Sequence, residues 1–229
     1  MIETMEQQLD SFDAEKRFSA LNELISLAKA GQVSLPDPTD RVNMHFHSFF
    51  SYNCLGYSPA GLAWRARKAG LTAVGLVDFD VLDGVDEFVE AGCRLDLPTC
   101  GGLETRVFVP EFADKVMTSP GEPGITYHMG VAIPTGRLPD RWAAFQQGLK
   151  ETAQQRNRGL VERVNAYLAP VRIDYEQDVL PLTPAGNPTE RHLCVAYARK
   201  AAGHFPDDRA LAAFWSEKLD TDVSAMELP

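Results

Sequence analysis

The first 135 residues alternate between short runs suited to β-strands and longer segments suited to helices. Strand-like runs are predicted at 41–47, 73–77, 105–110 and 126–134, and helices at 58–70 and 83–93. The first of these helices has a strong start signal, with Ser58 as N-cap and Pro59 at the first helical position. Regular alternation of strand and helix is typical of a mainly parallel sheet or barrel, so the predicted fold class is α/β.

The chain changes character on both sides of this region. An amphipathic helix is predicted from Leu9 to Ala30, and Gly31 ends it. After Pro139 the pattern is helical, with one Pro-rich link. We therefore predict three parts: an N-terminal helix and linker (1–40), the N-terminal half of a barrel (41–138) and a helical subdomain (139–229).

The amino-acid composition and net charge limit which molecules this protein is expected to bind. The 229 residues carry a net charge of −10, and a negative body repels phosphate backbones, so no extended nucleic-acid surface is expected. A small phosphorylated substrate remains compatible, because bound metal ions can reverse the local field. The four cysteines form no CxxC pair. With no evident signal peptide and no apolar run of membrane-spanning length, the sequence predicts a cytoplasmic protein without membrane contact.

The strongest local signal is the tripeptide HFH at 45–47. Side chains two residues apart in a strand point to the same face, so His45 and His47 project together. Imidazole is a common ligand of zinc, iron and similar ions. The alternative interpretation is two unrelated histidines at a strand end.

Three further signals also lie at predicted strands or strand ends. Asp78 and Asp80 end an apolar strand, where the active sites of barrels are assembled, although either could instead cap the next helix. Glu104 follows two glycines that would let the backbone approach bound ions closely, and its alternative is an ordinary surface glutamate. His128 lies in an apolar strand pattern, where a lone histidine is more often a core residue. The series of four signals in one alternating fold favours a metal site.

The ordered series resembles the PHP (polymerase and histidinol phosphatase) family of phosphoesterases. The resemblance is carried by HFHSFFSYNCLGYSPAGLAWRARKAGLTAVGLVDFDVLDGVDEFVEAGCRLDLPTCGGLETRV and by TYHMG further on. The segment RNRGLVERVN…NPTERHLCVAYARKAAG resembles the inserted helical subdomain of one branch of that family. The resemblance implies a partial, distorted PHP-type (β/α) barrel with a helical insertion.

The resemblance also implies roles for particular residues. His45 and His47 would bind one metal ion, Glu104 would bridge two, and His128 would bind the second. Asp78 would be a ligand or would orient one, and it is counted with Glu104 among the catalytic residues. Asn53 lies near a position where the family often has Asp or His. Arg191 and His192 match a position of the insertion that binds substrate phosphate, and their alternative is an ordinary helix start.

Two departures from the family pattern bear on activity. The family's Asp-His-Asp is Asp78-Phe79-Asp80 here, so a ring that cannot coordinate replaces one metal-binding imidazole. The family's later ligands, another His and a terminal Asp-x-His, have no counterpart before Pro229. We therefore expect the chain to be part of a longer protein. An incomplete barrel would also leave strand edges free, which favours homo-oligomers.

The function implied by the resemblance is a metal-dependent hydrolase that cleaves phosphate esters of nucleotides or small metabolites. Its cofactors would be divalent ions such as zinc, manganese or iron, which activate a water molecule for attack on phosphorus. One alternative is a non-catalytic, degenerate PHP-like module that binds a metal or a partner, as Phe79 suggests. A third interpretation is an amidohydrolase-like reaction on a C–N bond, which needs similar metal ions.

Overall fold

The computed structural model describes residues 1–51, 56–119 and 121–224, which form helices α1–α7 and strands β1–β4. The helices are α1 (Ile2–Gln8), α2 (Ala14–Lys29), α3 (Pro59–Lys68), α4 (Val85–Leu95), α5 (Asp140–Tyr167), α6 (Glu190–His204) and α7 (Asp208–Leu219). The strands are β1 (Val42–Phe46), β2 (Ala73–Phe79), β3 (Thr99–Phe108) and β4 (Ile125–Val131). Two compact units divide the chain, residues 1–150 and 151–229, and the boundary lies inside α5.

The first unit is built on a four-stranded sheet in the order β1-β2-β3-β4. The pairs β1–β2 and β2–β3 are parallel, as the alternation of strand and helix predicts, whereas β3–β4 is antiparallel. This mixed α/β sheet curls into part of a barrel. The carboxyl ends of β1 and β2 therefore lie at one edge of the sheet, level with the middle of β3.

Helices α1–α4 cover one face of this sheet. Val74 and Leu76 of β2 point into that layer and are fully buried against Trp64 of α3 and Phe88 of α4. Burying large side chains of this kind stabilises the fold by about 1.5–3 kcal/mol each. Because side chains alternate along a strand, the residues on either side of Leu76 face the other side of the sheet, which we call the inner face.

The helix predicted at 9–30 is shorter in the structure, where it is α2 (Ala14–Lys29), and a further helix, α1, precedes it. The chain turns between α1 and α2, and Asp13 caps α2 by accepting hydrogen bonds from the backbone N–H groups of Glu15 and Lys16. The buried Arg17 of α2 then forms an ion pair with Glu87 of α4. This pair joins the N-terminal helices to the sheet unit, so residues 1–40 share its core rather than forming a separate arm.

The second unit is helical and has its own core. Residues of α5, α6 and α7 pack around Val179, which is fully buried, and around Ile173 and Tyr175 from the preceding link. Tyr175–Val179 forms one π-helical turn. None of the helices within the described ranges combines the length and the apolar character needed to cross a membrane.

Candidate metal centre

Three side chains converge on the inner face of the sheet. His45 belongs to β1, His47 follows directly after it, and Glu104 lies in β3 opposite Phe79, the last residue of β2. The local β geometry of the HFH segment sends both imidazoles to one side, while Phe46 packs into the helical layer. His45 is exposed, His47 is half-buried and Glu104 is buried, so the group opens to solvent on the histidine side.

The three ligand atoms form a nearly equilateral triangle. The Nε2 atom of His45 lies 3.0 Å from Oε2 of Glu104 and 3.1 Å from Nε2 of His47, and His47 Nε2 lies 3.1 Å from the same carboxylate oxygen. Ligands at about 2.0–2.2 Å from a zinc-sized ion, with angles between octahedral and tetrahedral, lie about 2.8–3.6 Å apart. The donors therefore fit one divalent ion in both chemistry and spacing.

Burial keeps His47 ready to act as a ligand. Burial, and then the proximity of His45, lower the pKa of His47 to about 4. At neutral pH its imidazole is therefore neutral, which is the form that donates a lone pair to a metal ion.

Asp78 does not join these three residues. Its register with Leu103 places it on the helical side of the sheet, where it is buried and accepts hydrogen bonds from Ser48 and Ser51. The backbone N–H of Ser48 also donates to Asp78, at 2.6 Å. Burial raises the pKa of Asp78 to about 6, an effect that these hydrogen bonds oppose. Its predicted role as a ligand gains no support here, but it holds the segment directly after His47.

Ser48 and Ser51 were not singled out in the sequence. Both are fully buried, and they complete the hydrogen bonding of Asp78 from the loop that follows β1. Their position within HFHSFFS is the signal that could have identified them, because buried hydroxyls next to a ligand pair need a partner such as a carboxylate.

His128 is also absent from the ligand group. In the antiparallel pair it lies opposite Thr105, whereas Glu104 lies opposite Met129, so His128 and Glu104 occupy opposite faces of the sheet. His128 lines an apolar cavity of about 570 Å³, and the other lining residues include Trp142 and Phe145. The prediction that His128 binds a second metal ion gains no support from this geometry.

Phe79, the residue between Asp78 and Asp80, makes an aromatic contact with one of the three residues. The ring of Phe79 stacks on the ring of His47, with centroids 4.4 Å apart and planes inclined by 23°. The ring of Tyr127, from β4, lies 5.8 Å from Phe79. Aromatic rings therefore form an apolar floor beside the three ligands.

Packing explains the two glycines before Glu104. A Cβ on Gly102 would come within 2.2 Å of the carbonyl oxygen of Gly130, so only glycine allows β3 and β4 to approach this closely. The expectation that these glycines bring the backbone close to an ion stays a prediction. Asp80, with φ of +61°, donates its N–H to the carbonyl of Glu104 at 2.8 Å and accepts a hydrogen bond from Thr105. These contacts hold the segment that carries the carboxylate.

The remaining predicted residues lie elsewhere. Arg191 and His192 belong to the second unit, in the first turn of α6. His192 Nδ1 accepts a hydrogen bond from the backbone N–H of Thr189 at 3.0 Å and so caps the helix. Asn53 lies outside the described residues.

Comparison with known proteins identifies the fold. No family model matches the sequence, and no curated protein does. Two solved structures share the fold at 19% sequence identity: a presumed metal-dependent phosphoesterase from Bifidobacterium adolescentis (TM-score 0.55, 83% of this chain) and an amidohydrolase from Chromobacterium violaceum with bound sulfate and no metal (TM-score 0.53, 72% of this chain). The chain spans 59% and 51% of their lengths.

The fold and the candidate site are separate observations. The fold is similar to those of the two structures, and the sheet presents a two-histidine, one-carboxylate group with the spacing of metal ligands. At this identity the likeness concerns the fold, so the reaction has to be argued from the site itself.

Proposed function

We propose that this chain carries the metal centre of a hydrolase that cleaves phosphate esters. The observation that supports this most directly is the convergence of His45, His47 and Glu104 within 3.1 Å of one another at the carboxyl-end edge of the parallel strands. Three protein ligands that leave other positions open are typical of catalytic rather than structural metal sites. A divalent ion held there would supply a Lewis acid and lower the pKa of a water molecule that it binds.

The chain's own residues prepare this site. The stacked ring of Phe79 and the burial of His47 keep that imidazole neutral and fixed in orientation. The half-exposed His45 leaves the approach to the ligand atoms open to solvent. Asp78, through Ser48, holds the turn after His47, and Asp80 holds the β3 segment that carries Glu104. The ligands therefore need little rearrangement to bind an ion.

A second candidate is hydrolysis of a C–N bond. One of the two similar structures is named an amidohydrolase. Within the described residues, the ligand group comprises one His-His-Glu set, because His128 lies on the other face of the sheet and Phe79 cannot coordinate. A single ion bound by two histidines and one glutamate also suits amide cleavage. Phosphate-ester cleavage is the first proposal because the sequence motifs point to it.

Metal content is the first test. We expect protein purified without chelators to carry close to one equivalent of zinc, manganese or iron per chain, measured by elemental analysis. The double variant His45→Ala/Glu104→Ala should carry none, because it retains one ligand of three. His128→Ala is the matched control, since it removes a histidine of the same sheet from outside the group and should keep the metal.

The reaction is tested on the metal-loaded protein with a panel of phosphate monoesters, phosphodiesters and amides. Activity on esters that the double variant loses and His128→Ala keeps would support phosphate-ester cleavage. Activity on amides alone would favour the second candidate. Metal binding without turnover of any substrate would favour the non-catalytic binding module. A metal-free wild type would contradict both hydrolase proposals and leave only a module that binds a partner.

A further inference from the structure

The inner face of the sheet continues beyond the three ligands to an arginine. Arg106 lies two residues after Glu104 in β3, so both side chains project to the inner face. Arg106 pairs in register with Tyr127, and its guanidinium carbon lies 5.9 Å from the centre of that ring. Tyr127 lies 5.8 Å from Phe79, which stacks on His47. A continuous surface therefore runs from the ligands over two aromatic rings to a cation.

The Arg106 guanidinium already holds a carboxylate. Its Nη2 donates to Oε2 of Glu122 in a close ion pair, and also donates to the hydroxyl of Ser119 at 3.1 Å. The Arg106 side chain is 15% exposed, whereas that of Glu122 is 42% exposed. The exposed Glu122 carboxylate therefore contacts the largely buried Arg106 from the solvent side. A carboxylate of a bound molecule could contact Arg106 in the same way.

We propose that Arg106 binds a terminal carboxylate of the substrate, whose apolar part contacts the rings of Phe79 and Tyr127, and that Glu122 occupies this position when no ligand is bound. This inference rests on the proposed function, because it places the scissile group at the three metal ligands. Arginine is suited to the role, since its planar fork binds carboxylates and stays charged at all working pH values.

The spacing limits the size of the ligand. Two strand residues span about 6.6–6.8 Å, so the Cα atoms from which the Glu104 and Arg106 side chains leave the inner face are about this far apart. A single six-membered ring with substituents at its two ends covers this distance. The substrate class is therefore a compact aromatic ester or amide with a carboxylate opposite the scissile group.

The test uses two ligands that are not hydrolysed, phenylphosphonate and 4-carboxyphenylphosphonate, titrated into the zinc-loaded full chain by calorimetry. The tetrahedral phosphonate suits the ligand group for either of the two proposed reactions. We expect the carboxylated ligand to bind about 10-fold more tightly, because a charged hydrogen bond contributes about 1.5 kcal/mol or more. Zinc content is measured on the same samples.

Two variants separate ligand binding from a structural role. Arg106→Gln should abolish the preference for the carboxylated ligand, and Glu122→Gln should increase it by removing the competing carboxylate. Both variants break the Arg106–Glu122 ion pair, so a merely structural pair would make them change binding in the same direction. Arg137→Gln, which removes an exposed arginine paired with Asp140, is the control and should keep the wild-type preference.

The outcomes distinguish the two proposals. Zinc-loaded wild type that binds both phosphonates equally well would overturn the assignment of Arg106 and leave the metal centre standing. Parallel changes in Arg106→Gln and Glu122→Gln would overturn it as well. A wild type that holds no zinc, or that binds zinc but neither phosphonate, would overturn both the subsite and the proposed function.

Discussion

At the scale of single residues, Phe79 has the greatest effect on what this site can do. The sequence resemblance predicts a metal-binding histidine at this position, and the Phe79 ring lies against His47, one of the three candidate ligands. Stacking helps to orient the imidazole, but a phenyl ring adds no lone pair. The ligand group therefore has three members within the described part of the chain, which suits a single ion.

Phe79→His is expected to raise zinc affinity by about 10-fold or more, because it places a fourth donor beside His47. The measurement is a competition titration of the full chain against a chromogenic chelator. Phe79→Leu serves as the control, since it removes the ring without adding a ligand and should produce no gain. Equal affinities of the two variants would mean that position 79 lies too far from the ion to contribute.

At the scale of elements, the start of α6 shows how a residue with a predicted binding role can serve the fold. His192 is the third residue of the helix and accepts the backbone N–H of Thr189 through Nδ1. Only an imidazole without a proton on that nitrogen can accept this bond. Burial lowers the pKa of His192 to about 4, which keeps the ring neutral at physiological pH. Binding of substrate phosphate by His192 and Arg191 stays a prediction.

Stability of the second unit should therefore fall as the pH is lowered from about 6.5 to about 4. In this window the unfolded chain, with an ordinary histidine pKa, binds a proton that the folded chain does not, so protonation favours unfolding. His192→Asn keeps an acceptor at this position but does not titrate, so the contribution of this residue should disappear. Urea unfolding of the full chain, followed by NMR signals of α6, measures the difference. An unchanged pH dependence in the variant would assign the effect to other groups.

At the scale of the whole molecule, the described residues form two hydrophobic cores. The sheet and helices α1–α4 share the first core, and α5–α7 with the π-helical turn share the second. All three ligand residues belong to the first unit, while Arg191 and His192 belong to the second. The boundary at residues 150 and 151 lies within α5, after the predicted start of the helical subdomain at residue 139.

Val179→Ala should lower the free energy of unfolding of the second unit by about 2 kcal/mol, because it leaves a cavity at a fully buried position. Zinc content should stay at the wild-type value, since the ligands belong to the first unit. Hydrogen exchange of α6 amides and elemental analysis of the same sample check both expectations. Val74→Ala, at an equally buried position of β2, should instead lower the free energy of unfolding of the first unit. Loss of zinc in Val179→Ala would show that the two units are energetically coupled.

Local patterns in the sequence were sufficient for several parts of this protein. The period-two alternation of a strand places His45 and His47 on one face whatever the strand pairs with. Ser58 and Pro59 specify the start of α3 through capping and a fixed φ angle, and Ser58 accepts the backbone N–H of Gly61 as expected. Each of these features depends on neighbours within a few residues, so the sequence alone determines them.

Only the tertiary structure decided that Glu104 lies beside His45 and His47 and that His128 does not. Glu104 reaches His45 across β2 because the parallel register pairs it with Phe79, and this register depends on side chains distant in the sequence. The antiparallel register of β4 pairs Thr105 with His128 and so turns the imidazole away from Glu104. A shift of one residue would reverse that outcome, because it moves every side chain to the other face. Glycine at position 102 permits the observed register, because a Cβ there would lie 2.2 Å from the carbonyl oxygen of Gly130.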